Sequence, residues 1–153
     1  MDELICAIAK VHRCQISRID APVIQIGEAH LPGSIDGSAL AADTINHILE
    51  AATQQTGVHL CFGNYGGQTI QEGHYEKLLP FFNTLQCDFL LLEFARRSRE
   101  SIELFQDLKP SLRLGIGVLD IKDLEIETPE IIARRIEHAV QKLGAERVQI
   151  GRA

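Results

Sequence analysis

The chain has 153 residues, is 45% hydrophobic and 24% charged, and carries a formal net charge of -6 with a pI near 5.5. Such a length suits one domain, residues 1–153, with a substantial core, and the acidity excludes a nucleic-acid binder that works by neutralising phosphates. With no apolar run near the roughly 20 residues of a membrane span, an acidic Met1-Asp2-Glu3-Leu4 start and four scattered cysteines, a soluble cytoplasmic protein with reduced thiols is expected.

Five short apolar runs recur along the chain. The first spans Pro22 to Ile26 and is followed by a helical pattern from Ser38 to Thr53, with apolar positions at Leu40, Ile45, Ile48 and Leu49. The second, Gly57 to Cys61, precedes a less regular segment from Glu72 to Leu85 that Pro80 should kink or break. The third runs from Asp88 to Phe94, and a helical pattern from Ser98 to Leu108 follows it. After the fourth, Leu112 to Leu119, comes the clearest helix: Thr128 is placed to cap it, Pro129 opens it and Gly144 closes it. Its inward stripe is Ile132, Ile136, Ala139, Val140 and Leu143. The fifth run is Arg147 to Ile150.

Alternating strands and helices make this an α/β protein with a parallel sheet. The continuous run Phe89-Leu90-Leu91-Leu92 suits a strand buried on both faces. Periodicity alone fits either an open doubly wound sheet or part of a closed barrel. A complete eight-unit barrel takes about 250 residues, more than this chain has.

In both architectures ligands bind beyond the carboxyl ends of the strands. Those ends are rich in chemistry here: Glu28 and His30 after the first run, His59 and Cys61 in the second, Glu93 in the third and Asp120 after the fourth. Side chains alternate faces along a strand, so His59 and Cys61 point the same way and make half of a tetrahedral zinc site. A packed strand with a buried cysteine and a hydrogen-bonded histidine satisfies the same spacing. Glu93 directly follows an apolar run, and a buried acid calls for a partner or a metal. His138 falls on a charged helix and is expected at the surface. Arg96, Arg97 and Arg99 form a basic cluster that is either a solvated loop or a dock for an anionic substrate group. Gly63-Asn64-Tyr65-Gly66-Gly67 lacks the phosphate-loop pattern and reads as a permissive turn.

Taken in order, these strand ends resemble the C-terminal catalytic barrel of cobalamin-independent methionine synthase, and more closely its single-barrel relatives, the methionine synthase II-like proteins. Ile24-Gln25-Ile26-Gly27-Glu28 is similar to the family's I-Q-I-D-E. Val58-His59-Leu60-Cys61 resembles its H-x-C strand, Leu91-Leu92-Glu93-Phe94 its glutamate strand, and Gly115-Ile116-Gly117-Val118-Leu119-Asp120-Ile121-Lys122 its G-x-G-V-x-D-x-[HK] segment. The resemblance implies a partial (β/α)8 TIM barrel of about five strand–helix units. It also implies a zinc-dependent methyltransferase that moves a methyl group to a thiol, homocysteine in the family. The donor is a methyltetrahydrofolate-type molecule or a methyl-corrinoid protein. Zinc falls to His59, Cys61 and Glu93, substrate binding to Glu28 and Glu93, and catalytic roles to Asp120 and Lys122.

Two departures stand out. Gly27 replaces the aspartate that holds the substrate amino group in the family, which leaves a different thiol, such as a coenzyme thiol, as an alternative acceptor. The family's fourth zinc ligand, in a P-D-C-G motif, would fall after Ile150, where this chain runs Gly151-Arg152-Ala153. The expectation is therefore a truncated or split relative with weak zinc binding. It would work with a second copy or a complementing chain, or persist as a non-catalytic remnant.

Overall fold

The computed structural model describes residues 3–63 and 73–151. Five strands, β1 (Val23–Glu28), β2 (Gln55–Leu60), β3 (Phe89–Glu93), β4 (Arg113–Gly117) and β5 (Val148–Gly151), form one all-parallel sheet in sequence order. Four α-helices accompany them: α1 (Glu3–Ile16), α2 (Ser38–Leu49), α3 (Leu79–Thr84) and α4 (Pro129–Leu143). A 3₁₀ helix, Arg99–Asp107, lies between β3 and β4. Neighbours in the helical layer are neighbours in sequence. α1 packs on α2, α2 on α3, α3 on the 3₁₀ helix, and the 3₁₀ helix on α4.

A sheet that never reverses its strand order, backed by one continuous helical layer, is the wall of a (β/α) barrel rather than a doubly wound sandwich. The barrel is not closed, and among the described residues β1 and β5 are paired on one side only.

The core lies between sheet and helices. Val58, Leu60, Leu90, Leu92, Leu114 and Ile116 are at most 1% exposed and pack with Ile45, Leu49, Phe82, Ile102 and Phe105. On the opposite, inner face, the register aligns Gly27, His59, Leu91, Gly115 and Gln149 in one row. Small residues there make room for large ones. A Cβ on Gly57 would stand 2.2 Å from the Phe89 ring, and one on Gly151 2.1 Å from Leu91 Cδ1.

Local differences from the sequence reading have physical causes. The segment Ser98 to Leu108 is wound as a 3₁₀ helix because its buried residues, Ile102, Phe105 and Leu108, recur every third position. The segment divides just before Pro80, as expected: a 3₁₀ turn at Tyr75–Leu78 gives way to α3, and the proline sits in its first turn, where its missing N–H is harmless. Glu72 lies outside the described residues. α1, for which no element was expected, buries only Ala9 and Ile16, against Ile24 and Ile48, while Leu4, Ile8 and Val11 stay exposed. The last helix begins after an extended Thr128, whose side chain makes no capping hydrogen bond, and ends at Gly144, whose φ of 89° is positive but whose ψ of 145° is extended rather than left-handed helical.

Candidate functional site

β2 carries His59 as its penultimate residue and ends at Leu60. Cys61 lies one residue beyond the strand but keeps its course, because its N–H donates to the Glu28 carbonyl on β1 at 3.3 Å. The β2–β3 register ends with Leu60 beside Leu92, so the next step sets Cys61 beside Glu93. His59, Cys61 and Glu93 therefore belong to the same inner face of adjacent strands. Permissive backbone after Cys61 is visible at Gly63, with φ 80°. Asn64, Tyr65, Gly66 and Gly67 lie outside the described residues.

His59 is half-buried, and its Nε2 is fully buried with no hydrogen-bond partner among the described residues. Burial lowers its pKa, opposed by the nearby Glu93 carboxylate. The imidazole is thus held neutral at pH 7, with a nitrogen lone pair available. Glu93 is 5% exposed. The cation that compensates it is Lys122, whose Nζ lies 2.6 Å from Glu93 Oε2, with both side chains almost wholly buried. Among the described residues no three His, Cys, Asp or Glu side chains are gathered closely enough to hold a metal ion.

Asp120 does not face the histidine row itself. Its Oδ1 accepts the Lys122 backbone N–H at 2.9 Å, and its Oδ2 pairs with Arg96 Nε at 3.3 Å. The resulting turn aims the lysine side chain at Glu93. Glu127 accepts the Asp120 N–H at 2.8 Å, and Arg135 donates to the Val118 carbonyl at 2.6 Å, which fastens the β4–α4 loop.

Glu28 is directed elsewhere. It pairs in register with Leu60, one step out of the His59 row, and its carboxylate accepts the N–H groups of His30 and Leu31 at 2.9–3.2 Å. Gly27 is the residue beside His59, and a Cβ there would meet nothing within 4 Å.

Arg96 and Arg97 go to different partners. Arg96 serves Asp120, while Arg97 stacks 3.7 Å above the Phe62 ring and donates to the Gly73 carbonyl at 3.2 Å. His138, expected at the surface, is half-buried. It lines a cavity of about 270 Å³ between α4 and the 3₁₀ helix, with Arg97, Ile102 and Ile131.

One contributor had no motif to reveal it. Tyr75 is 2% exposed, surrounded by Phe62, Phe82, Phe94 and Phe105, and its hydroxyl donates to the Glu93 carbonyl at 2.8 Å. It fixes the end of β3 from the helical side, and burial raises its pKa well above the usual tyrosine value.

Comparison with known proteins bears on the family and the fold. The family model described as "Cobalamin-independent synthase, Catalytic domain" matches residues 1–151. "Methionine synthase" of Thermococcus kodakarensis is 25% identical over 152 residues, covering 97% of this chain and 42% of that protein. "Methionine synthase" of Pyrococcus abyssi is 26% identical over 148 residues, covering 95% and 40%. The chain thus spans about two fifths of the length of these relatives. A B12-independent methionine synthase from Shewanella sp. W3-18-1, solved with selenomethionine, superposes with a TM-score of 0.79 at 21% identity. That likeness covers 94% of this chain and 45% of the solved one, and supports the barrel-type fold. With a family match over essentially its whole length, the chain belongs to the cobalamin-independent synthase catalytic-domain family.

Proposed function

We propose that this chain carries part of a zinc-dependent methyltransferase site that moves a methyl group to a thiol, with homocysteine as acceptor and a folate-type or methyl-corrinoid donor. The observation that carries the reading is the buried Nε2 of His59, which has no partner among the described residues, near Glu93 and on the same sheet face as Cys61. A buried nitrogen without a partner is costly, and a metal ion is one of the few groups that would satisfy it. One imidazole nitrogen, one thiolate and one carboxylate are donor types that zinc takes, but the three side chains are not gathered closely enough here to hold an ion and would have to draw together to do so. His59, Cys61 and Glu93 would hold the ion, which when bound stabilises a thiolate at neutral pH.

The protein's own groups do the rest. Burial keeps His59 neutral and ready to ligate. Tyr75 and the β3 ladder fix Glu93 in depth. Asp120 orients Lys122, which brings a cation to the rim where a donor or acceptor carboxylate would dock. Glu28 shapes the β1 turn and so acts on substrate binding through the backbone of His30 and Leu31.

None of the described helices is long and apolar enough to cross a membrane. We place the protein in the cytoplasm on its composition, acting on small molecules, with a second copy or a complementing chain pairing the open strand edges.

Zinc titration of the chain and of Cys61→Ser tests the metal site. A marked loss of affinity in the variant is expected, and equal affinity would refute the site. Methyl transfer assayed in parallel with homocysteine and with a coenzyme thiol tests the acceptor. A second reading, transfer to a thiol that lacks an amino-acid moiety, is favoured by Gly27, because no carboxylate is present there to hold an amino group. Preference for the coenzyme thiol would establish it.

A further inference from the structure

We propose that the cavity between α4 and the 3₁₀ helix binds a small organic anion, a carboxylate or phosphate group carried on an apolar body. It lies on the helical side of the sheet, away from the inner-face row that contains His59. The site rests on neither the metal nor the methyl transfer proposed above.

Three observations carry it. The first is charge. The cavity measures about 270 Å³, near the lower end of small-molecule pockets. Its described lining includes Arg97, Arg134, Arg135 and His138 but no aspartate or glutamate, in a chain whose net charge is -6. Positive groups thus gather in a concavity against the balance of the whole molecule.

The second is the state of those cations. Arg97 is half-buried, stacked 3.7 Å above the Phe62 ring, and donates from Nη1 to the Gly73 carbonyl. Its Nε is buried with no partner among the described residues, and no described carboxylate pairs with it. Ring stacking offsets part of the cost of withdrawing this charge from water, but only an anion neutralises it. Arg134 is exposed and makes no ion pair within salt-bridge distance of a described carboxylate, although the charge of Glu130, one turn earlier, acts on it. Arg135 is committed to Glu127 and the Val118 carbonyl, so it frames the cavity and leaves the other two guanidinium groups to take the ligand. Guanidinium groups bind carboxylates and phosphates through paired N–H donors.

The third is the rest of the wall. Ile102 comes from the 3₁₀ helix, Ile116 and Val118 from the outer face of β4 and its extension, and Ile131 from α4. Bare phosphate or water would leave this hydrocarbon uncovered. An acid with an apolar body satisfies both kinds of surface.

Calorimetric titration of the full chain with benzoate, phenyl phosphate, inorganic phosphate and neutral benzamide tests the site. Saturable binding of benzoate or phenyl phosphate is expected, and the stronger of the two identifies the headgroup. Benzamide and inorganic phosphate should each bind at least about tenfold more weakly, since each lacks one half of the recognition. Raising the ionic strength from about 0.01 to about 0.1 M should weaken binding of the organic anion. Arg134→Gln, at an exposed position that leaves the fold intact, should weaken it about tenfold. Ile131→Phe should also weaken it, by filling the cavity without altering any charge. Arg97→Gln should do the same, with thermal unfolding measured alongside because Arg97 also braces Phe62. Benzamide binding as tightly as benzoate would overturn the assignment, as would inorganic phosphate matching phenyl phosphate. So would unaltered binding in both Arg134→Gln and Ile131→Phe, or the absence of saturable binding by either organic anion at millimolar concentration.

Discussion

The two faces of the sheet are built on opposite terms. The outer face is a continuous apolar layer, with Val58, Leu60, Leu90, Leu92, Leu114 and Ile116 sealed under helices. The inner face mixes glycines, a half-buried histidine, a cysteine and an ion pair, and much of it is open to solvent. Stability is concentrated on the first face and chemistry on the second. Neighbouring residues on one strand, such as Leu92 and Glu93, therefore serve different ends.

The most disruptive way to probe that contrast is to empty the outer layer. Phe105 is fully buried and packs against Tyr75, Phe82 and Phe94. Phe105→Ala should cost about 3–5 kcal/mol in denaturant unfolding, enough to leave a marginal domain largely unfolded. Survival with less than about 1 kcal/mol lost would mean that the helical layer is not what holds the sheet.

Cys87 provides a milder probe on the same side. Burial pushes its thiol from the ordinary 9.0 to about 11. The unfolded chain releases this proton near pH 9 and the folded chain holds it until about 11. Stability is therefore full below pH 9 and falls by about 2 kcal/mol as pH climbs to 11. Cys87→Ala should flatten that part of the pH–stability curve. Alkylation at pH 8 should label the exposed Cys14 well before Cys87.

Tyr75 joins the two faces, since its ring lies among the outer aromatics and its hydroxyl holds the Glu93 carbonyl. Tyr75→Phe should cost about 1–2 kcal/mol by leaving a buried carbonyl without its donor. It should also weaken zinc binding, which an outer substitution of equal cost would not do. Comparison with Leu78→Val, matched in stability loss, separates the two effects.

The smallest stability change is expected on the inner face. Gly27→Asp enters open space, so it should alter unfolding by less than about 0.5 kcal/mol. It should nonetheless raise the preference for homocysteine over a thiol lacking an amino group, read from competing acceptors in one assay. A large loss of stability would show that the inner face is more tightly built than it looks.

Much of this division could be read from residue order. The strands announced themselves as short apolar runs, because the outer face is sealed and the inner face of the central strands is largely apolar or glycine. The strand-end residues followed from the rule that parallel strands present their carboxyl ends to one rim. What the sequence concealed was pairing at a distance. Nothing in the spacing of Glu93 and Lys122, 29 residues apart, says that one compensates the other. Tyr75 belongs to no motif in the sequence. α1 went unseen because its apolar residues are largely exposed, so burial left no clear stripe to find. Arg96 and Arg97 looked like one feature, but adjacent loop residues diverge, one toward Asp120 and the other toward Phe62.

The glycines of the inner face carry an implication for how this protein can change. Gly57 lies where the Phe89 ring occupies the space of a side chain, and the ring is large because the glycine is absent-sided. Residues 57 and 89 are thus one steric unit divided between two strands. Gly57→Val alone should be rejected, while the same change together with Phe89→Ala exchanges bulk across the ladder and should recover much of the loss. Over a lineage the two positions should drift as a couple, large facing small, with the total volume kept and its side of origin free to switch.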